Sequence, residues 1–343
     1  MPDKRVALGV RRQKKVPQIR AFPAFSVLIL WLAPATAPAG ELLRIESSID
    51  AMGSVYSIVA YGEDRTRLES AVEESFEEVR RLDNLLSNYK PHSEWSRVNR
   101  EAAAGAVAVS PELFDLLEAC RRYSRMSEGA FDITVGPLVK IWGFYRGSGR
   151  LPHRAEIRGA MSRVGHDLVE LDRARGTVRF RKPGVELDPG GIGKGYTVDR
   201  MVDILRKNGI PSALISAAGS TIYGLGAPPK EEAWTVKIRH PKKEGEYVSE
   251  LRLHNMSMST SGSSEKFFVS GGKLYSHIFD PRTGYPAEGM LSVSVTAPKS
   301  LDSEAWTKPV FIHGSRWARK HVPKQFQVFV CEDRLKTACA WLQ

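Results

Sequence analysis

The chain has 343 residues but only three cysteines, Cys120, Cys331 and Cys339, and no two of them stand at the short spacing of a metal-binding pair. A thiolate zinc or iron–sulfur centre is thereby excluded. One Cys331–Cys339 bridge stays open in an oxidising compartment. Cys120 falls with Leu113, Leu116, Leu117 and Ser124 at helical spacing, which predicts a buried thiol. Long apolar runs are missing too: Ala21–Leu32 reaches 12 residues, short of the roughly 20 that span a bilayer. No cysteine stands directly behind that run, so a lipid-modified N-terminus is not supported. No Pro-, Gly- or Ser-rich linker and no strict repeat divides the rest of the chain, which predicts one domain.

The chain opens with a leader. Met1–Arg20 carries seven basic residues against one acid, the apolar run comes next, and Ala37-Pro38-Ala39 precedes Gly40. That order is a secretory signal. It predicts cleavage after residue 39, a mature domain over 40–343, a periplasmic or other extracytoplasmic location, and no stable membrane anchor. The formal net charge is +11; without the leader it is +5. An excess of that size suits an anionic ligand, whereas nucleic acid calls for a clustered basic stripe.

The mature sequence alternates strand and helix signals. Ser54–Tyr61 is β-branched and aromatic, hence a strand. Leu68, Val72, Phe76, Val79, Leu82 and Leu86 recur at three- and four-residue steps, giving an amphipathic helix. Ser110-Pro111-Glu112 is a capped helix start, and that helix ends before Gly129. Leu168–Leu171 and Thr177–Arg181 form a hairpin, Val185–Asp188 a short strand, and Lys194–Lys207 a helix closed by Gly209. Further strands are expected at Leu214–Ser216, Trp234–Arg239, Leu251–Leu253 and Ser292–Ala297, the last half-buried. Strands and helices mixed in this way, with hairpins, predict an α+β fold.

Two segments carry chemistry. In Glu186–Asp199 (ELDPGGIGKGYTVD) a strand ends in an acid, glycines come after it, and a helix begins. Glycines let backbone N–H groups approach an anion, the helix N-terminus adds partial positive charge, and Lys194 supplies a full one. The segment is not a P-loop, because Asp188 stands where the first glycine belongs and Gly195 where the hydroxyl residue does. A turn that merely packs a helix on a sheet explains the glycines equally well. The second segment, Tyr275–Pro286 (YSHIFDPRTGYP), crowds a histidine, an acid, an arginine and a threonine around a turn. His277 has the chemistry to take a proton from an alcohol, and equally to serve as a structural histidine.

Six segments stand in an order that resembles the ApbE-type FAD:protein FMN transferases: Ala51–Ser54, Leu86–Glu94, Gly129–Leu138, the DPGGIGKGY run, Ser259–Gly262 and Ser276–Pro286. The resemblance covers roughly Ile45 to Gly314. It implies a single large domain of mixed or antiparallel sheets with packed helices. It also implies FAD as substrate with Mg²⁺, release of AMP, and FMN joined by phosphoester to Thr or Ser of an exported protein acceptor. By position, Met52, Tyr89, Ala130, Phe131 and Asp132 would line the flavin and adenosine sites. Asp188, Gly190, Lys194 and Ile278 would complete the FAD site, and His277 would be the base. The metal ligands would be the Gly191 carbonyl, Glu304 and the residue at 308.

Two departures stand out. The family pattern has Asp, then Thr four residues later; here these are Glu304 and Lys308. Protonated lysine cannot coordinate Mg²⁺. Pro309 is expected to disfavour helical geometry at Lys308, and Thr307 or Asp302 are the alternative ligands. The second departure is Ser216–Ser220, where the family has Asn and paired glycines. Three functions stay open: the transferase, an FAD pyrophosphatase using water, and a non-catalytic FAD-binding protein.

Overall fold

The computed structural model describes residues 42–334 and 337–342, so the expected leader and its cleavage site lie outside the described residues. The first two strands, β1 (Leu43–Ala51) and β2 (Ser54–Gly62), are joined by Met52-Gly53, whose φ angles are both positive at 52° and 66°. Such a pair matches the right-handed twist of a tight hairpin. Helix α1 (Arg65–Leu86) starts where Asp64 accepts from the Arg67 N–H, and it buries the periodic stripe from Leu68 to Leu86. Next come α2 (Glu94–Glu101), β3 (Val107–Ala108) and α3 (Pro111–Met126), the last capped by Ser110. Short helices α4 (Gly136–Ile141) and α5 (Arg154–Met161) lead to the β4 (Val169–Asp172) and β5 (Thr177–Phe180) hairpin. After α6 (Gly193–Lys207) the chain runs through β6 (Ser212–Ala217), β7 (Thr221–Leu225), β8 (Trp234–Arg239), β9 (Tyr247–Leu253) and β10 (Met256–Gly262). It closes with β11 (Phe267–Ser270), β12 (Lys273–Ser276), β13 (Met290–Ala297), α7 (Ser300–His313), α8 (Ser315–His321), β14 (Val328–Glu332) and β15 (Ala338–Leu342).

Eight strands form the central sheet in the order β1-β2-β6-β7-β10-β13-β14-β15, every pair antiparallel. Helices α1 and α6 close one face of it: Phe76, Val79, Val198 and Met201 pack on Tyr56, Ile58 and Ile215. The β8–β9 hairpin closes the other face, with Trp234, Ile238 and Leu253 against Met258 and Phe329. Helix α7 packs with α3 and the β3-β5-β4 sheet in a third cluster around Val293, Val295 and Phe311. Hairpin β11–β12 stands apart, seated on Trp142 and Phe279 by Phe268 and Tyr275. The result is a single α+β domain. In its last pair Cys331 faces Cys339 and the two are bridged, while Cys120 is a buried free thiol.

Three local expectations give way. Val185–Asp188 is extended but joins no ladder: the Leu187 carbonyl accepts from Trp95 Nε1 and Asn99 Nδ2, and the Leu187 N–H donates to Asn99 Oδ1. The Asp188 N–H donates to the Ile133 carbonyl and the Glu186 carbonyl accepts from the Gly136 N–H, so side chains and isolated backbone bonds together meet the backbone's need there. Strand β13 is buried along its whole length, because its serine face is covered as well, with Ser294 bonded to Thr260. Helix α7 runs through Pro309 instead of stopping before it. The described residues contain no helix long and apolar enough to cross a membrane.

Candidate functional site

The turn into α6 is shaped by Asp188. Its Oδ1 accepts from the Gly190 N–H at 2.8 Å, an Asx-type turn, and its Oδ2 accepts from Asn88 Nδ2 at 3.0 Å. Burial raises its pKa above the ordinary carboxylate value, and these two donors oppose that rise. The Ile192 and Gly193 N–H groups both close on the Pro189 carbonyl, and the helix begins there. At Gly191 a side chain would lie 3.4 Å from the Phe131 ring and 3.6 Å from Lys308 Cε, so its absence leaves a notch between them. Lys194, on the first turn of α6, donates to Ser220 Oγ.

One turn along, α6 meets α7. A β-carbon at Gly195 would fall 2.3 Å from the Ser300 carbonyl oxygen, so only glycine permits this approach. It lets the Gly195 N–H donate to Glu304 Oε2 at 2.6 Å. Asp199 anchors the same contact by accepting from the Ser300 and Leu301 N–H groups at the start of α7. Glu304 is 2% exposed and its second oxygen, Oε1, has no hydrogen-bond partner. The Lys308 ammonium stands 3.9 Å from that oxygen and donates at 3.1 Å to the Glu304 carbonyl. The two alternative ligands face elsewhere. Asp302 accepts from the Tyr123 hydroxyl, and the Thr307 hydroxyl is engaged with Ser261 and the Glu304 carbonyl. Among the described residues no group of three His, Cys, Asp or Glu gathers to hold a metal ion.

His277 comes directly after β12 and is half-buried. Its Nδ1 lies 3.1 Å from the Lys266 carbonyl, which can only accept, so Nδ1 carries the proton and Nε2 keeps a lone pair. Burial pushes the imidazole pKa down to about 4, and the positive fields of Lys266, Lys194 and Lys308 act in the same direction. Tyr89 is 62% exposed and stacks on Tyr145 with ring centroids 4.8 Å apart, while the Tyr145 hydroxyl holds the Asn88 carbonyl. Met52 lies over the start of α6, its methyl 3.5 Å from where a Gly193 side chain would begin.

Eight of the residues singled out from sequence therefore share one neighbourhood: Met52, Phe131, Asp188, Gly190, Gly191, Lys194, Glu304 and Lys308. His277 and Tyr89 join it through the fields and bonds just described. Three others point inward. Ala130 is buried, Ile278 lies in the core with Ile192, and Asp132 spends its carboxylate on the Thr134 N–H and hydroxyl. Two contributors, Tyr145 and Lys266, lie outside every segment singled out from the sequence, whereas Asn88 and Gly195 fall inside two of them. The aromatic pair Phe144-Tyr145 between glycines was the one visible hint.

Similarity to known proteins converges on the same reading. The pattern of the ApbE family matches residues 52–330. An FAD:protein FMN transferase of Klebsiella pneumoniae is 34% identical over 264 residues, 76% of this chain and 79% of that one. Another, of Salmonella typhimurium, is 30% identical over 303 residues and 85% of each chain. The crystal structure of the ApbE protein of Thermotoga maritima superposes with a TM-score of 0.79 at 28% identity, covering 87% of this chain and 96% of that one. On the family pattern, these relatives and the shared fold, the chain belongs to the ApbE family of FAD:protein FMN transferases.

Proposed function

We propose that this chain cleaves the diphosphate of FAD and joins FMN to a threonine or serine hydroxyl of an exported protein. The acceptor oxygen forms a bond to the FMN phosphorus, the phosphorus–oxygen bond to AMP breaks, and AMP leaves. The hydroxyl proton passes to Nε2 of His277. Chemistry of this kind depends on placing the alcohol in line and on balancing charge at the phosphate oxygens. The observation that carries the reading is the tautomer of His277: the Lys266 carbonyl pins the proton on Nδ1 and leaves Nε2 a lone pair within the field of Lys194. Tyr89 on Tyr145 offers a flat face for a ring system, and Met52 covers the start of α6. The leader and the Cys331–Cys339 bridge support work outside the cytoplasm.

The test is to incubate the chain with FAD and an acceptor peptide, measuring AMP and the mass of the FMN adduct. His277→Ala is expected to slow transfer by ~10²–10⁴, the worth of a positioned base, with FAD affinity nearly unchanged. An equal rate in that variant overturns the assignment. AMP released without adduct would make the protein an FAD pyrophosphatase. The ammonium at Lys308 favours a second reading, an FAD-binding protein without turnover, which tight FAD binding with no AMP would establish.

A further inference from the structure

The residues around Glu304 do not form a site for a divalent cation. Magnesium requires near-octahedral oxygen ligands, usually including one or two carboxylates. Here a single carboxylate, that of Glu304, stands next to the Lys308 ammonium, and one of its oxygens is held by the Gly195 N–H. The spare carboxylate and hydroxyl, Asp302 and Thr307, are turned to Tyr123 and Ser261. Where a cation would meet Glu304 Oε1 there is already an ammonium, that of Lys308. A divalent ion brought to the same oxygen would have to sit against that charge.

The orphaned oxygen and the ammonium explain each other only in part. At 3.9 Å the pair is open, and among the described residues Lys308 donates one hydrogen bond, to the Glu304 carbonyl. An ammonium has three donors, so this one has capacity for an incoming acceptor. Its stem passes 3.6 Å from the position above Gly191, at the mouth of the turn into α6. Lys194 is the nearby second cation, and its field reaches both Lys308 and His277.

We infer that Lys308 is a built-in cation: its ammonium, with Lys194, takes the diphosphate of FAD at the notch over Gly191, and the chain binds FAD without a divalent metal. The inference rests on the FAD reading above and deepens it. A charge on a flexible stem neutralises a phosphate oxygen but does not bridge two of them as a metal ion does. Binding is therefore served better than turnover. Glu304 holds the ammonium in place and the Gly195 N–H holds Glu304.

The experiment is a titration of FAD onto the purified chain, tracked by flavin fluorescence in EDTA and in excess Mg²⁺, with Mn²⁺ binding read by electron paramagnetic resonance. The unmodified chain is expected to bind FAD equally within about two-fold in both buffers, and its FAD complex to take up no Mn²⁺. Lys308→Met should weaken FAD binding by about 10–100-fold, the loss of one charged hydrogen bond, and Mg²⁺ should not restore it. Lys308→Thr should lose affinity in EDTA and regain it with Mg²⁺, now binding Mn²⁺. Metal-dependent FAD binding by the unmodified chain overturns the inference and leaves the transferase reading standing. Unchanged affinity of Lys308→Met in EDTA also overturns it. Failure to bind FAD in either buffer overturns both. If a variant does not fold, as its thermal melt will show, the response of the unmodified chain to EDTA decides alone.

Discussion

His277 sets the pH behaviour at the scale of single residues. Below about 6.5 the unfolded chain takes up a proton at this imidazole, whereas the folded chain refuses it down to about 4. The histidine therefore stabilises the fold above 6.5, and that contribution is lost as the pH falls through the window to about 4. In the proposed reaction the same group is the base. The acid limb of kcat/KM, which reports the free enzyme, is expected near pH 4. The limb of kcat should lie higher, because bound diphosphate offsets the positive field that depresses the imidazole. Coincident limbs near 6.5 would show that burial does not govern His277. Ala218 makes a second residue-scale case. Its φ is +53° and that of Gly219 +68°, a left-handed pair in the segment where the family has adjacent glycines. A side chain in that region costs about 1–2 kcal/mol, and glycine returns part of it as lost chain entropy. Ala218→Gly is expected to raise stability by about 0.5–1 kcal/mol, read as a shift of the urea midpoint at constant slope.

Among elements, the α6–α7 contact organises the site, and it turns on Gly195. A methyl there would meet the Ser300 carbonyl and push α7 away, taking Glu304 from its N–H donor. Gly195→Ala should cost about 2–3 kcal/mol and loosen FAD binding together with stability. A stable variant with normal affinity would show that the two helices can separate without consequence. This contact was also the least legible part of the sequence. Helix α1 could be read because one face is polar and the other apolar, but α7 buries Ser303, Glu304 and Thr307 together with Ala305 and Phe311. A helix buried on every side has no stripe to detect, and Pro309 pointed to an early end. Val185–Asp188 looked like a strand because its composition suits one. Its partners are the side chains of Trp95 and Asn99 and the backbone of Ile133 and Gly136, which no local pattern announces.

For the molecule as a whole, the order of motifs carried more than their periodicity. Individually the glycine turn and the histidine segment each had an ordinary structural explanation, and only their sequence along the chain placed them in one site. Contacts such as Tyr145 on Tyr89 and Lys266 at His277 arise from packing across long separations, so they became visible only with the fold. The Cys331–Cys339 bridge works at this scale too, because it ties the edge strand β15 to the sheet. Closing so short a loop contributes about 2–3 kcal/mol by restricting the unfolded chain. Cys339→Ser should lower stability by that amount and leave FAD affinity unchanged, since β15 is remote in sheet order from β6 and β7, whose connecting turn carries Ser220. An unaltered melting temperature would show that the edge strand is held by its ladder alone.

The ammonium beside Glu304 has a consequence for descent. Lysine and threonine codons differ by one base, as do those of glutamate and aspartate, so a fixed cation and a recruited one are separated by two small genetic steps. On the inference drawn above, the exchange acts on one side of the Glu304 carboxylate, while the Gly195 N–H holds it from the other. A lineage can thus exchange dependence on a metal supply for dependence on a side chain, and reverse the trade, while every strand and helix stays where it is.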